Sequence, residues 1–553
     1  MTSDRRSFLG ALAGLGAAPS DRRFIDARRG RHGFRAALPA RRPHIFVLTI
    51  DMVSPDHWHP ARAMHRDMEL PTLQGLAADS VVFSNAFTTA TLCAPARAAL
   101  ATGRYSYITA NNERAHDGHE FRLRPDDVIF QEYLKATGYV TKHCGKGHLG
   151  VEKFFDAFDE NVSAWDRWDP PIRSDEQYLV YMRGLGVKPQ RYAREIRGLQ
   201  QDRRTPGNSF GGWIEQADGK PFPLEAQYSF YLVQRAVQKL DAALAQRRGA
   251  APVYLQLDLF DPHQPFSVPA GFETRERALR AGIQLPASYR DVQKRDWRPA
   301  PEEPKIYDLY RRYWGLYDPK TVEDYRVANA LQMEVIDRAL AQFIRALKER
   351  NLYQESLIIF TADHGEMNGR RALVDKGVYL CPEVLRVPLM IKPPAWWGIR
   401  PRSEDEVVSH LDLAPTLLAV GGIAPEERLD GRSLLPLLRG EAGLGDRALL
   451  FECGWHVGVN FACAVQKRFP GGEHYLYTYN CSSPVQELYD LNSEDATNLA
   501  GEPAKAKIKT ELVRKLSAIL EADPRWQCYR NSFHLDHYFD LPRQPGDLQL
   551  KKS

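Results

Sequence analysis

Three short, nearly continuous apolar runs in this 553-residue chain each stop at an acidic residue. They are His44–Ile50 before Asp51, 252–260 before Asp261, and 357–361, which leads into Ala362-Asp363-His364. A strand that is apolar at nearly every position is buried on both faces, the condition of a parallel sheet covered by helices. In open α/β sheets reactive groups collect beyond the carboxyl ends of the strands. Asp51 therefore stands where a metal site is expected.

A fourth stretch supplies a reactive side chain. Cys93-Ala94-Pro95-Ala96-Arg97-Ala98-Ala99-Leu100-Ala101-Thr102-Gly103-Arg104 follows the apolar segment 81–83 and a Thr-rich turn. Pro95 suits the first turn of a helix and the alanines favour its continuation. Cys93 then lies at a helix N-terminus, where unpaired N–H groups and the helix dipole favour an anion. Arg97, one turn on, adds a fixed cation. Taken alone, the stretch fits a small apolar capping Cys equally well.

Cys-x-Pro-x-Arg followed by Thr102-Gly103 resembles the signature of the type I sulfatases, in the alkaline-phosphatase-like superfamily. Further family-like stretches follow in the same order across residues 43–500. Ile50-Asp51-Met52-Val53-Ser54-Pro55-Asp56-His57 resembles the first metal motif, with Met52 where many members carry a second carboxylate or amide. Gly145-Lys146-Gly147-His148 resembles the second signature, with Gly147 where Trp is common. Asp261-Pro262-His263-Gln264-Pro265, Ala362-Asp363-His364-Gly365-Glu366 and Lys376-Gly377 follow. Ala96 departs from the Ser usual in the family, outside the Cys, Pro and Arg core.

The resemblance implies an alkaline-phosphatase-like α/β fold: a large mixed sheet flanked by helices, then a smaller C-terminal antiparallel sheet with a helix. It implies sulfate monoester hydrolysis, with Cys93 converted to formylglycine by a formylglycine-generating enzyme. One divalent metal would be held by Asp51, Asp363, His364 and the oxidised Cys93. An oxygen-dominated shell favours Ca²⁺ or Mg²⁺; the family points to Ca²⁺, with Mn²⁺ and Zn²⁺ left open by the imidazole. Arg97, Lys146 and Lys376 would grip the sulfate. His148 would be the base that releases sulfate from the enzyme, and His263 the acid for the leaving alcohol, assisted by Lys376. Alternatives are a phosphonate or phosphate ester hydrolase of the same superfamily, or a silent sulfated-glycan-binding protein.

The formal charge of +4 is local. Residues 1–42 hold ten Arg and three Asp, a net of +7, which leaves the remaining residues at −3. No basic footprint for nucleic acid remains there. Arg5-Arg6-Ser7-Phe8-Leu9 and the apolar run to Ala18 resemble a twin-arginine export signal, too short for a stable membrane anchor. Periplasmic or secreted location is expected, with 22–42 an unstructured lead-in. The chain divides as 1–42, a catalytic domain 43–440 and a C-terminal subdomain 441–553. The six other cysteines show no Cys-x-x-Cys spacing, and their pairing stays open.

Helical patterns cover 71–77, 125–136, 323–349 and 508–520, and alternating segments near 448–452, 459–466 and 475–479 read as an antiparallel sheet. Residues 160–225 show no periodicity and read as loops over the sheet. Among them, Trp165, Trp168, Tyr178 and Tyr181 could stack on a ring of the substrate, although packing is the commoner role. Trp455 and His456 could reach the same pocket.

Overall fold

The computed structural model describes residues 23–29, 32–60, 62–106, 123, 127–149, 151–163, 175–246, 251–526, 529–531 and 533. At its centre is an eight-stranded sheet. Its order is Arg402–Glu404, Val81–Phe83, Leu389–Lys392, Ser356–Ala362, His44–Ile50, Val253–Leu259, Val140–Gly145 and Glu160–Ser163. Leu389–Lys392 runs antiparallel to both neighbours and the other pairs are parallel, so the sheet is mixed. Val253–Leu259 and Ser356–Ala362 are buried at every residue and His44–Ile50 at all but its first, as their apolar runs require.

Register places the site. Ile50 pairs with Ala362 on one side and with Leu259 on the other, so Asp51 and Asp363 leave adjacent strands side by side. Asp258 pairs with Gly145, which brings Lys146 to the same edge.

Helices cover the sheet. Pro319–Glu349 begins with a proline in its first turn, and its Asp318 cap accepts from the Lys320 N–H. Its Phe343 packs edge-on against Phe46 of the central strand, 5.8 Å between centroids. Tyr228–Gln246 packs beside it and on Val253–Leu259. Cys93–Thr102, Phe130–Ala136 and Leu413–Gly421 pack on one another as a further group. Cys93–Thr102 stops at Gly103, whose φ of 66° suits a residue without Cβ.

The C-terminal sheet is antiparallel, in the order Leu449–Trp455, Val459–Arg468, His474–Asn480, Glu487–Asp490. One face packs on helix Ala506–Ala522 through Leu450, Cys463, Val465, Leu512 and Leu516. The other face, with Leu449, Phe451, Ala462 and Ala464, joins the main core.

Several expectations change. Residues 22–42 were expected to be an unstructured lead-in; instead Arg23–Arg29 and His32–Leu38 pair as a hairpin, and His32–Leu38 also pairs with Ile423–Pro425. Phe34 is what ties it down, packed edge-on to Tyr133 at 5.3 Å. Residues 160–225 are not only loops. Glu176–Gly184 is a helix, and Gln190–Leu199 with Pro206–Gln216 forms a long antiparallel pair. Three register shifts and many exposed charges along Gln190–Leu199 erase the alternation a strand would show. Tyr178 is fully buried and donates to the Ala226 carbonyl; Tyr181 stacks on it. Both therefore pack the fold and are not substrate platforms. Trp165 and Trp168 lie outside the described residues, as do the twin-arginine stretch and Cys528. The 125–136 helix begins at Phe130, where the Glu132 carboxylate accepts from the Ile129 N–H. Among the described residues no disulfide forms, and no helix is long and apolar enough to cross a membrane.

Gly145 carries a testable load. Its φ is 113°, and a Cβ there would lie 1.8 Å from the Asp258 carbonyl oxygen. Gly145→Ala must spread the two strands just before Lys146, with an expected loss of more than about 2 kcal/mol in urea unfolding. Gly138→Ala, also at positive φ but with nothing within 4 Å, should cost only about 1 kcal/mol. Equal losses would show that strand contact at Gly145 is not limiting.

Candidate active site

Cys93 opens the helix Cys93–Thr102, which is buried throughout. Leu92 provides no side-chain cap, so the first N–H groups are not claimed by a capping oxygen. The Cys93 Sγ lies 3.1 Å from His364 Nε2 and 3.7 Å from Asp51 Oδ1. Asp51, Cys93, Asp363 and His364 are all buried, and their ligand atoms lie within 4.8 Å of one another.

Each acid has been oriented before any ligand arrives. Asp363 Oδ1 accepts from the Met52 N–H at 3.0 Å and the His364 N–H at 2.9 Å. Met52 thus contributes its backbone, at φ 59°, while its side chain is buried. Asp363 Oδ2 accepts from Arg97 Nε at 2.8 Å. Asp51 accepts from Lys146 Nζ. Burial opposes ionisation of Asp51, but the charges of Lys146 and Arg97 outweigh it and hold the carboxyl well below its usual range.

Arg97 ties these groups together. It lies 3.6 Å from Asp51 and 3.5 Å from Asp258, and it donates to the Lys146 carbonyl at 2.8 Å. Its Nη2 is buried and makes no hydrogen bond, a donor left over at the centre of the site. Asp258 in turn accepts from Gln256 at 2.8 Å and lies 2.9 Å from His143 Nε2.

Lys376 and His263 form a second unit. Lys376 Nζ meets His263 Nε2, and His263 Nδ1 meets the Gln264 carbonyl. A carbonyl can only accept, so Nδ1 carries the hydrogen and Nε2 accepts from the ammonium. Burial and the Lys376 charge hold His263 well below the usual imidazole range. Burial opposes the Lys376 charge, but Asp375, 3.3 Å away, and the other nearby acids keep it protonated. His263 was expected to carry the acid proton itself; in this tautomer the proton of the pair sits on Lys376.

The site therefore gathers Asp51, Cys93, Arg97, Lys146, Asp363 and His364 around one point, with Lys376 and His263 beside them. His148 is buried two residues after Lys146, at φ 59°. Sequence reasoning missed Asp258, His143 and Asp375. Asp258 had left a signal: an acid inside an otherwise apolar strand is costly unless something pairs it.

The donor set suits a cation. Burial alone would lower the His364 pKa, yet Asp363 and Cys93 raise it to about 9. The buried Asp363 carboxylate and the Cys93 sulfur thus draw a proton onto the imidazole in a cluster whose charge a divalent ion would otherwise satisfy.

Residues 43–423 match the sulfatase family model. The chain belongs to the sulfatase family. It is an enzyme that hydrolyses sulfate esters. A second family model, N-sulphoglucosamine sulphohydrolase, C-terminal, matches residues 369–522. The choline-sulfatase of Rhizobium meliloti (strain 1021) is 25% identical over 483 residues, 84% of this chain and 83% of that protein. The phosphonate monoester hydrolase SpPMH from Silicibacter pomeroyi superimposes with a TM-score of 0.67 at 20% identity, covering 87% of this chain and 95% of that one. A structure in complex with its substrate D-glucosamine-2-N,6-O-disulfate gives a TM-score of 0.62 at 16% identity, over 89% and 99% of the two chains. These likenesses establish an alkaline-phosphatase-like fold, and a sulfatase carries a divalent metal and a formylglycine as a family property.

Asp258→Ala strands Arg97 and His143 beside a missing charge. Removing one partner of a buried charged network costs about 3–5 kcal/mol, so the urea midpoint should fall clearly. Asp258→Asn, which keeps a hydrogen-bonding group, should fall less. A wild-type midpoint in Asp258→Ala would show that the network carries no load.

Proposed function

We propose that the enzyme uses formylglycine at position 93, with a divalent ion, Ca²⁺ by resemblance, held by Asp51, Asp363, His364 and that residue. The observation that carries this is the buried cluster of Asp51, Cys93, Asp363 and His364 at an uncapped helix N-terminus. When present, the hydrated aldehyde supplies the nucleophile and the ion supplies Lewis-acid stabilisation of developing negative charge.

The chain's own residues supply the rest. Arg97 and Lys146 offset the charge of the sulfate group, and the buried Arg97 Nη2 is a donor for one of its oxygens. Lys376 donates a proton to the departing alcohol oxygen, and His263 orients the ammonium through Nε2. His148 is the proton acceptor for position 93, a role that rests on resemblance alone. The substrate is a sulfated small molecule or glycan. The protein is exported to the periplasm or secreted, and a formylglycine-generating enzyme matures it. Its catalytic domain ends near residue 440, where the C-terminal subdomain begins.

Peptide mass spectrometry of active protein should show aldehyde in place of the Cys93 thiol, and elemental analysis should find one divalent ion that Asp363→Ala loses. Full activity with unmodified Cys93 would refute the nucleophile, and a metal retained by Asp363→Ala would refute the ligand set. Phosphonate esters assayed beside matched sulfates test the neighbouring reaction.

Proton donation is tested by leaving-group dependence. Lys376→Ala should slow an alkyl sulfate about 10²- to 10⁴-fold more than nitrophenyl sulfate, whose leaving group needs little help. His263→Ala should show the same trend in weaker form, because it acts through Lys376. A flat response for Lys376→Ala with a steep one for His263→Ala would return the proton to His263.

A further inference from the structure

The Thr-rich turn ahead of Cys93 is joined to three separate parts of the fold. The Thr88 N–H donates at 2.9 Å to the carbonyl of Leu385, the last residue of the short helix Pro382–Leu385. The Thr89 carbonyl accepts from the Glu452 N–H at 3.1 Å, and Ala90 bridges Glu452 of the C-terminal sheet. The third link leads to the site. Thr91 Oγ1 donates to the Gly377 carbonyl at 2.7 Å, and both residues are buried. Thr91 stands two residues before Cys93, and Gly377 directly follows Lys376. One hydrogen bond thus connects the segment that carries the reactive side chain with the loop that carries the ammonium.

That loop does not shape itself. Asp375 sits at φ 65°, a left-handed conformation unfavourable for a residue with a Cβ. Its N–H is held by Glu366 Oε1 at 2.7 Å and its carbonyl by the Met367 N–H at 3.1 Å. Glu366 in turn accepts from Tyr325 Oη at 3.1 Å and Asn329 Nδ2 at 3.3 Å, both on the long helix Pro319–Glu349. Beyond Lys376, a Cβ on Gly377 would meet the rings of Tyr379 and Tyr310, the latter at 2.6 Å. The backbone there is drawn in against aromatic side chains. Glu366 therefore fixes the chain on one side of Lys376, and Thr91 fixes it on the other.

We infer that Thr91 is a positioning residue for proton transfer: through the Gly377 carbonyl it sets where the Lys376 ammonium stands relative to position 93. The inference rests on the reading of Lys376 as the proton donor given above. As the S–O bond to the alcohol breaks, its electron pair stays on the alcohol oxygen, which takes a proton from Lys376 Nζ. That transfer needs hydrogen-bond reach, and a misplacement of about 1 Å can cost about 10²-fold. Without the Thr91 hydroxyl, the buried Gly377 carbonyl loses this donor and the loop loses its tie to the Cys93 segment. Thr91 acts through Lys376 and is not itself a reacting group.

The test compares kcat/KM for an alkyl sulfate and for nitrophenyl sulfate, because the alcohol departs in the first chemical step. In Thr91→Val, which keeps the shape of the side chain and removes the hydroxyl, the alkyl-to-nitrophenyl ratio should fall about 10- to 100-fold. Thr91→Ser, which keeps the hydroxyl, should retain most of the ratio. Partial unfolding or incomplete conversion of Cys93 lowers both substrates alike and leaves the ratio in place, so the ratio separates positioning from a merely structural role. Lys376→Ala is the control. A wild-type ratio in Thr91→Val, or an equal fall in Thr91→Ser, beside a reduced ratio in Lys376→Ala would overturn the inference and leave Lys376 as the donor. An unchanged ratio in Lys376→Ala would instead refute the donor reading on which the inference rests, and the inference with it.

Discussion

The Arg97 guanidinium is the charge on which the rest of the site depends. Three buried carboxylates stand at or near the ends of adjacent strands, and Arg97 reaches all of them: Asp363 at 2.8 Å, Asp258 at 3.5 Å and Asp51 at 3.6 Å. An unpaired buried carboxylate costs several kcal/mol, so the strand ends could not hold this set without a buried cation among them. A planar fork with five donors can serve several acids and a backbone carbonyl at once, which a lysine cannot. Arg97 follows Cys93 by one helical turn, so one short helix sets both the reactive side chain and its counter-charge. Cys93 and the carboxylates of Asp51 and Asp363 are therefore fixed relative to each other.

The second fixed unit is assembled from further away in sequence. Lys376 lies in a loop that carries no secondary structure of its own, yet it is buried and aimed at His263. Its position is held by Val378, which is bonded on one side to the helix Lys305–Trp314 and on the other to the C-terminal sheet. The sheet itself is tied to the catalytic core by the Arg447 fork, which donates to both oxygens of Asp412 at 2.6 and 2.8 Å. A proton donor must sit within hydrogen-bond reach of the oxygen it serves. Closure of the C-terminal sheet on the core is thus part of what places the Lys376 ammonium.

Much of this was legible in the sequence because burial on both faces leaves a plain mark. The runs before Asp51 and Asp363 announced the central strands, and the strand-end rule picked out Asp51, while Asp363 was singled out by the family resemblance. The Cys93 to Arg104 stretch showed its helix start in Pro95 and its stop in Gly103. What stayed hidden depended on partners distant in sequence. Asp258 reads as an interruption of an apolar strand until Arg97 and His143 are seen on either side of it. Tyr178 looks like a possible platform until the Ala226 carbonyl is found at its hydroxyl. The strand Gln190–Leu199 carries its charges on exposed positions and breaks register with its partner, so no alternation survives to be read. His456 gave only a side chain of ambiguous role; its ring is stacked on Tyr310, with Nδ1 3.0 Å from the Tyr310 hydroxyl.

The charge balance of the pocket sets what kind of ester can enter. Asp51, Asp258, Asp363 and Asp375 face three fixed cations, Arg97, Lys146 and Lys376, a deficit of one positive charge that the His364 imidazolium now fills. A divalent ion bound to a neutral His364 would turn that deficit into an excess of one. A monoanionic ester then neutralises the pocket, whereas a phosphate monoester dianion would leave a buried negative charge, which is costly in a water-poor site. Sulfate monoesters carry one charge, and so do phosphonate monoesters, which is the reaction named for the structural neighbour from Silicibacter pomeroyi. Charge alone cannot separate those two substrate classes, because the anion-binding half of the site meets each with the same balance. Discrimination must come from the shape of the transferred group and from the half of the pocket that meets the alcohol.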